Sequence, residues 1–475
     1  MPAAGTTAWK PASRKAENKI RMQEQPYQLT IRNAATARHA SAWLLLGLFA
    51  LVAAGLFSIL LVVARTPLVQ EWIPVNDFFR VALVVHVNLS VLIWLLAIAA
   101  VMWSLGTRKD APLWDRVSFW GAAAGTAIIC AAPFLGAAKP LMNNYIPVLQ
   151  HPVFYVGLLL FIAGIGSQVT RTLYAGGAPL SSLDSGAALR FGIWLGAIVT
   201  AVALAAFAAS YAGLPGDMEG EVYFEFLFWG GGHVLQFTHT LLMMVAWVVL
   251  AANSGCRIQL TPRILVVFFT IMALPVITVP FLYLAHDIVS TGHRLAFTEL
   301  MQYGGLSCLP LGLAVFTSLW GSDKAVGEAR FLRSALLSSI ILFAVGGILG
   351  FMIVGLDIVI PAHYHGSTVG VTVAFMGLTY YFLPRLGFGP IPQRLAFWQP
   401  LIYATGQLMH IAGLAWTGGY GVQRKTAGLA QGVDKLGEIA GMGLMGLGGL
   451  VSVIGGLLFL VVAYKSLRRN SGPQS

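Results

Sequence analysis

Charge is scarce in this sequence. Asp, Glu, Lys and Arg make up 10% of its 475 residues, while 57% are hydrophobic, and the mean hydropathy is +0.77. Such a chain cannot clothe a water-facing surface, which excludes a soluble globular protein and places the fold in a membrane. Cysteine is almost missing too: Cys130, Cys256 and Cys308 lie far apart and make neither CxxC nor CxxCH. A thiolate copper site, an iron–sulfur cluster and a covalently attached haem of the chain's own are thereby excluded. No internal repeat of roughly 20–50 residues is found. Half-to-half symmetry and interrupted hydrophobic segments are missing as well, which argues against a secondary transporter.

Long apolar runs are what the chain has instead. A membrane span needs roughly 20 mostly apolar residues, and twelve segments qualify: 41–64, 81–105, 117–138, 150–170, 191–213, 226–252, 264–286, 295–320, 335–356, 358–384, 396–417 and 440–464. The expected fold is an all-α integral membrane protein of about twelve transmembrane helices. It divides into a basic cytoplasmic tail at 1–40, a membrane domain at 41–464 and a cytoplasmic C-terminal tail at 465–475. The first tail has no signal-peptide pattern, because its positive charges run on throughout and no small-residue cleavage site follows the first apolar run. Lys and Arg accumulate on the cytoplasmic side of a membrane. With the N-terminus inside, 22 of the 29 fall in inner segments and 7 in outer ones, a bias that one missed span would scramble. A multi-pass protein of the cell (inner) membrane with both termini cytoplasmic is expected. Basic inner loops facing anionic lipid account for the net charge of +11 without a nucleic-acid partner. The glycine-rich stretch 437–456 suits close helix packing.

Ionisable side chains inside a bilayer are costly and usually functional. His86, His233, His286, His363 and His365 fall in spans or at a span's end, and the alternation of spans puts all five in the outer half of the membrane. At about 100° per residue, His363 and His365 point roughly 200° apart. They cannot share one ion, but each can face a partner on its own side of the helix, as two haems would require. His86, at similar depth, supplies the second axial ligand of one, a bis-histidine electron-transfer haem; the other keeps an open face where a small molecule reacts. His233, His286 and Asp287 remain for that face. Asp287 is either a metal ligand or a helix-end carboxylate in water, and with His233 at the same level ligation is preferred. Two histidines and a carboxylate suit Fe(II) with open positions, so iron is expected over copper. His39 lies in the tail, His239 suits a structural hydrogen bond, and His151, His293 and His410 suit loops or packing. Glu219, Glu221 and Glu225 are either a short proton path from the outer side or acidic residues at a helix start, with Glu299 and Asp357 as weaker candidates. Gln236, at i+3 from His233, is placed to hydrogen-bond a bound ligand.

At these residues the chain resembles subunit I of the haem–copper oxidase superfamily, which includes cytochrome oxidases and nitric oxide reductases. The segment Ala362–Pro384, AHYHGSTVGVTVAFMGLTYYFLP, is similar to the family's tenth helix, and Phe228–His233, FWGGGH, to its sixth. The resemblance implies His86 and His365 on a low-spin haem, His363 proximal to a high-spin haem, and His233 and His286 on a non-haem metal. Arg424 and Lys425 sit where the family keeps arginines on haem propionates, a sensible place for cations. The sixth helix departs from the family. Oxygen-reducing members carry HPEVY there, whereas this run is His233-Val234-Leu235-Gln236-Phe237. Phenylalanine supplies neither a proton nor a phenoxyl radical, and the run carries no pumping glutamate. The family's adjacent His-His is His286-Asp287 here, and the nearby Tyr283 either replaces the lost tyrosine or is structural. With the haem ligands kept and the oxygen-specific parts lost, the resemblance implies a respiratory reductase acting on a small gaseous substrate. Nitric oxide, reduced to nitrous oxide, is the expected one; oxygen, reduced to water, is the alternative. An electron-donating subunit, or a cytochrome or cupredoxin, is expected on the outer side.

Overall fold

The computed structural model describes residues 27–65, 78–177, 183–353, 359–418 and 436–468; Arg424, Lys425 and Asp357 lie outside them. Among the described residues the chain forms twelve long helical segments. These are α1 Ala34–Arg65, α2 Phe78–Gly106, α3 Pro112–Leu135, α4 Pro152–Ala175, α5 Ser185–Gly213, α6 Gly220–Asn253, α7 Pro262–Ala285, α8 Thr291–Ser318, α9 Glu328–Phe351, α10 Val359–Arg385, α11 Gln393–Gly418 and α12 Leu436–Arg468. A two-residue antiparallel hairpin, β1 Pro140–Leu141 and β2 Val148–Leu149, folds the α3–α4 connection.

Local chemistry sets the helix starts. Asn33 accepts from the Thr36 amide at 2.8 Å, so α1 begins at Ala34 rather than at 41, and His39 lies on this helix, buried, rather than in a tail. Asp184, Thr261 and Ser290 cap α5, α7 and α8 in the same way, and prolines open α3, α4 and α7. Eleven of the described helices are long and apolar enough to cross a membrane. The exception is α11, whose 26 residues have the length but carry Gln399, Gln407 and His410. Those groups face inward. Gln399 is fully buried, accepting from Tyr380 Oη at 2.9 Å and donating to the Gly455 carbonyl at 3.3 Å, so its amide is satisfied inside the protein.

Three helices are interrupted, which hydropathy alone does not register. A 3-10 turn breaks α7 at Leu274–Thr278, where Pro275 lacks the amide proton an α-turn needs, and another breaks α8 at Gly305–Cys308. In α2 the break is a π turn, Asn88–Ile93, starting two residues after His86.

The most enclosed helices are α6, α10 and α2, while Leu45, Phe49, Trp120, Leu159 and Ile348 on other helices are exposed, as lipid-facing positions should be. Small residues let backbones meet. A Cβ on Gly448 of α12 would run into the backbone of Gly406 and His410 on α11, and Gly346 of α9 lies against Gly366 of α10. At the α2–α3 end, a buried polar clasp ties four helices. Asp115 pairs with the buried Arg171, Arg171 donates to Thr107 at 3.0 Å, and Gln168 bridges His39 (2.9 Å), Ser118 (3.1 Å) and Ser104 (3.2 Å). Satisfied partners of this kind are what make a buried charge tolerable.

Candidate functional site

The three enclosed helices carry His86, His233, His363 and His365. On α10 the pair divides as helical geometry requires. His363 turns to α9, its Nδ1 2.7 Å from the Gly346 carbonyl, and its ring lies where a Cβ on Gly350 would be. His365 turns to α11, with its ring centroid 4.8 Å from that of His410, and has His86 of α2 as an electrostatic neighbour. His86 Nδ1 stands 2.9 Å from the Ala54 carbonyl of α1. Just beyond it, the π turn is braced by Asn88, which donates to Val84 O at 2.9 Å and to Pro147 O at 2.8 Å. Single π turns inside helices often mark functional positions.

His233 is buried on α6. Its Nδ1 lies 2.7 Å from the Trp229 carbonyl one turn earlier, and its ring is enclosed by Trp229, Tyr145 and Phe297 at centroid distances of 4.8, 5.1 and 6.1 Å. The glycines before it have a shared purpose. A Cβ on Gly230 would strike Tyr283, one on Gly231 would strike Phe207, and one on Gly232 would strike Tyr145. Each glycine admits one aromatic ring from a different segment.

A carbonyl oxygen only accepts, so the Nδ1 atoms of His86, His233 and His363 must all donate, which fixes the tautomer and leaves Nε2 with its lone pair. This is the arrangement by which proteins orient histidines for metals, and these residues fit haem and metal ligation on that ground. His410 shares it, with Nδ1 2.9 Å from the Met445 carbonyl.

His286 ends α7 in extended conformation, with its ring over Gly292. Asp287 follows on the turn into α8; its backbone carbonyl accepts from the Ser290 amide at 2.9 Å and its side chain is exposed. Among the described residues no group of three or more His, Cys, Asp or Glu side chains stands close enough to hold a metal ion. The sequence suits His293 to a loop or packing surface, and the structure has it fully buried, with neither ring nitrogen hydrogen-bonded. It packs 5.0 Å from Tyr283 and 4.8 Å from Phe297, with His286 and His233 as electrostatic neighbours. The Ser290 cap, which turns α8 back at once, was the available signal.

Tyr145 was also missed. Its hydroxyl lies 2.8 Å from Nδ1 and 3.0 Å from Nε2 of His233, and Gln236 donates to it at 3.3 Å. Burial first, then the Glu225 carboxylate, hold that hydroxyl well above the ordinary tyrosine range, against the hydrogen bond from Gln236. Glu225 accepts from the Asn144 backbone amide at 3.1 Å and from its side-chain amide. At the same end a cleft of about 470 Å³ is lined by Gln150, Met218, Glu219, Gly220, Tyr223 and Phe224. Tyr283 is structural, donating to the Ala206 carbonyl at 2.9 Å beside Ser210 at 2.8 Å. Val234 and Phe237 are fully buried.

A family model described as cytochrome c and quinol oxidase polypeptide I matches residues 38–458. An uncharacterised protein of Rickettsia prowazekii (strain Madrid E) is 30% identical over 500 residues, covering 90% of this chain and 96% of its own length. One of Aquifex aeolicus (strain VF5) is 29% identical over 353 residues, covering 73% of this chain and 85% of its own. Among solved structures, a haem–copper terminal oxidase dimer superposes with a TM-score of 0.68 at 16% identity, covering 94% of this chain and 86% of that one. At that identity the likeness establishes the fold.

Proposed function

The chain belongs to the cytochrome c and quinol oxidase polypeptide I family, the catalytic subunit of a membrane-embedded respiratory oxidoreductase, and from that premise we propose that it reduces nitric oxide to nitrous oxide. The observation that carries this reading is the interior of α6, where buried Leu235 and Phe237 stand in the positions of the oxidase glutamate and tyrosine. Joining two NO molecules into N2O and water takes two electrons and two protons and no O–O cleavage.

In this reading His86 and His365 hold the low-spin haem, and His363, on the opposite face of α10, holds the high-spin haem. His233 and His286 bind the non-haem metal, iron before copper. Asp287 is the third donor suggested by sequence, and the buried, unpartnered His293 joins it as a candidate. Bound there, haem iron and metal supply adjacent positions that bind and reduce small molecules. The protein's own part is orientation and enclosure. Carbonyls of Ala54, Trp229 and Gly346 fix three imidazoles, and Trp229, Phe297 and Tyr145 wall the space around His233. Protons come from the outer side by way of Glu219, Glu221 and Glu225, and electrons from an outer-side partner. Arg424 and Lys425 hold the haem propionates.

A second reading, oxygen reduction, is favoured by one observation: the Tyr145 hydroxyl lies against the His233 imidazole. Metal analysis of the purified protein, coupled to NO and O2 consumption by its reduced form, separates the two. Iron beyond that of two haems, negligible copper and faster NO turnover support the proposal; copper in the non-haem position with rapid O2 uptake overturns it.

A further inference from the structure

Four histidines of the membrane interior hand their Nδ1 proton to a main-chain carbonyl: His86 to Ala54, His233 to Trp229, His363 to Gly346 and His410 to Met445, all at 2.7–2.9 Å. His365 is the exception. Among the described residues no carbonyl holds its ring, and the group placed to hydrogen-bond it is the side-chain amide of Gln407 on α11.

Gln407 sits on the face of α11 that packs against α10. Ala404 and Ile411, one turn to either side of it, belong to the same packed cluster as Ala362 and Val373 of α10, and the i, i+3, i+7 spacing puts all three on one side of the helix. The residue is only 8% exposed, and its Oε1 is buried with no hydrogen-bond partner. An acceptor left unpaired in the interior is costly and calls for a reason. His410, one turn along, does not supply the missing contact to His365. Its Nδ1 proton is committed to Met445, and its ring meets that of His365 edge to face, centroids 4.8 Å apart at 63°, a packing contact that bounds His365 on that side.

We infer that Gln407 is the positioning residue of His365, its Oε1 receiving the Nδ1 proton when the imidazole presents Nε2 to a haem iron. The inference rests on His365 as an axial ligand, as proposed above. It gives the orphaned acceptor a donor and gives His365 what carbonyls give the other histidines. No covalent bond forms or breaks, and no electron passes through the amide. An acceptor on Nδ1 makes an imidazole a stronger ligand base, which favours Fe(III) over Fe(II), so this amide sets the potential at which the low-spin haem passes electrons on. The acceptor behind His86 is main chain and survives any substitution at Ala54, whereas the one behind His365 is a side chain.

The test uses the full-length, haem-loaded protein. A spectroelectrochemical titration and the electron paramagnetic resonance spectrum read the low-spin haem, and carbon monoxide binding reads the other. Gln407→Leu should shift the Fe(III)/Fe(II) equilibrium of the low-spin haem about 10-fold toward Fe(II), about 59 mV for one electron. Its g values should move while carbon monoxide binding stays as in wild type. Gln407→Glu, which keeps an acceptor oxygen, should hold the potential at or below that of wild type. His410→Phe, which keeps the ring contact, should shift it less than Gln407→Leu does. If Gln407→Leu leaves potential and g values in place, or His410→Phe shifts them more, Gln407 only packs α11 on α10 and the inference is overturned. Should Gln407→Leu lose the low-spin haem outright, Gln407→Glu decides: a haem retained at or below the wild-type potential supports the inference, and a second loss overturns it. A wild-type protein without a bis-histidine low-spin spectrum would sink the proposed haem assignment and this inference together; a normal wild-type spectrum that Gln407→Leu leaves untouched sinks only the inference.

Discussion

Adding a single methyl group to Gly346 should disturb both the packing of α9 on α10 and the histidine proposed to hold the high-spin haem. A Cβ there would stand 2.6 Å from the carbonyl carbon of Gly366 and 2.9 Å from its Cα. Carbon atoms pack at about 3.5–4.0 Å, so the two backbones must part by about 1 Å. Overpacking of this sort costs about 1–3 kcal/mol. The same shift stretches the 2.7 Å bond from His363 Nδ1 to the Gly346 carbonyl beyond hydrogen-bonding range, about 1 kcal/mol more. Gly346→Ala should therefore lose about 2–4 kcal/mol. Removing the group that orients a ligand histidine should also weaken its hold on iron about 10- to 100-fold. Gly347→Ala is the control, since a Cβ there meets nothing within 4 Å. Thermal unfolding of the purified protein reads the first effect and the carbon monoxide difference spectrum the second. If Gly346→Ala melts with Gly347→Ala and binds as much carbon monoxide, the reasoning that joins this seam to His363 is wrong.

His365→Ala should remove the low-spin haem absorbance and spare carbon monoxide binding, while His363→Ala does the reverse; parallel losses in both variants would refute the division across α10. His293→Ala should lower Fe(II) affinity about 10- to 100-fold and Asp287→Asn by less; the opposite order in an Fe(II) titration would make the exposed carboxylate the third donor. Asp110 has its carboxyl held below the ordinary range, first by the Asn33 hydrogen bond and then by Arg32, against the raising effect of desolvation. A depressed carboxylate contributes stability above its unfolded value, about pH 4, and loses it as pH falls through the folded value. Asp110→Asn should accordingly melt lower than wild type near neutrality, with the gap closing in acid; a gap that widens in acid would contradict this.

Much of the architecture was legible because it depends on short-range regularities. Twelve apolar runs became twelve helices, the glycine-rich stretch became the α11–α12 seam, and a two-residue spacing was enough to send His363 and His365 to opposite sides. What escaped depends on partners far away in the chain. Tyr145 meets His233 across 88 residues, and a loop tyrosine has no periodicity to betray it. The π turn after His86 rests on how Asn88 bonds, not on hydrophobicity. His293 reads as a loop residue in the sequence because its surroundings are built by Tyr283 and Phe297, and His39 reads as part of the tail because the Asn33 cap starts the helix ahead of the apolar run.

The glycine triplet before His233 gives α6 an unusual division of labour. The helix contributes hollows, and the rings that fill them arrive from the α3–α4 strap, α5 and α7. The packing of the turn before His233 is thus encoded at Tyr145, Phe207 and Tyr283, in three segments that can vary independently while the histidine-bearing helix stays fixed. A substitution in any one ring retunes a single wall, whereas a side chain on any one glycine evicts a whole ring. Under the proposed function, selectivity for one diatomic gas over another would be adjustable by small steps from outside α6 and only by large ones from within it.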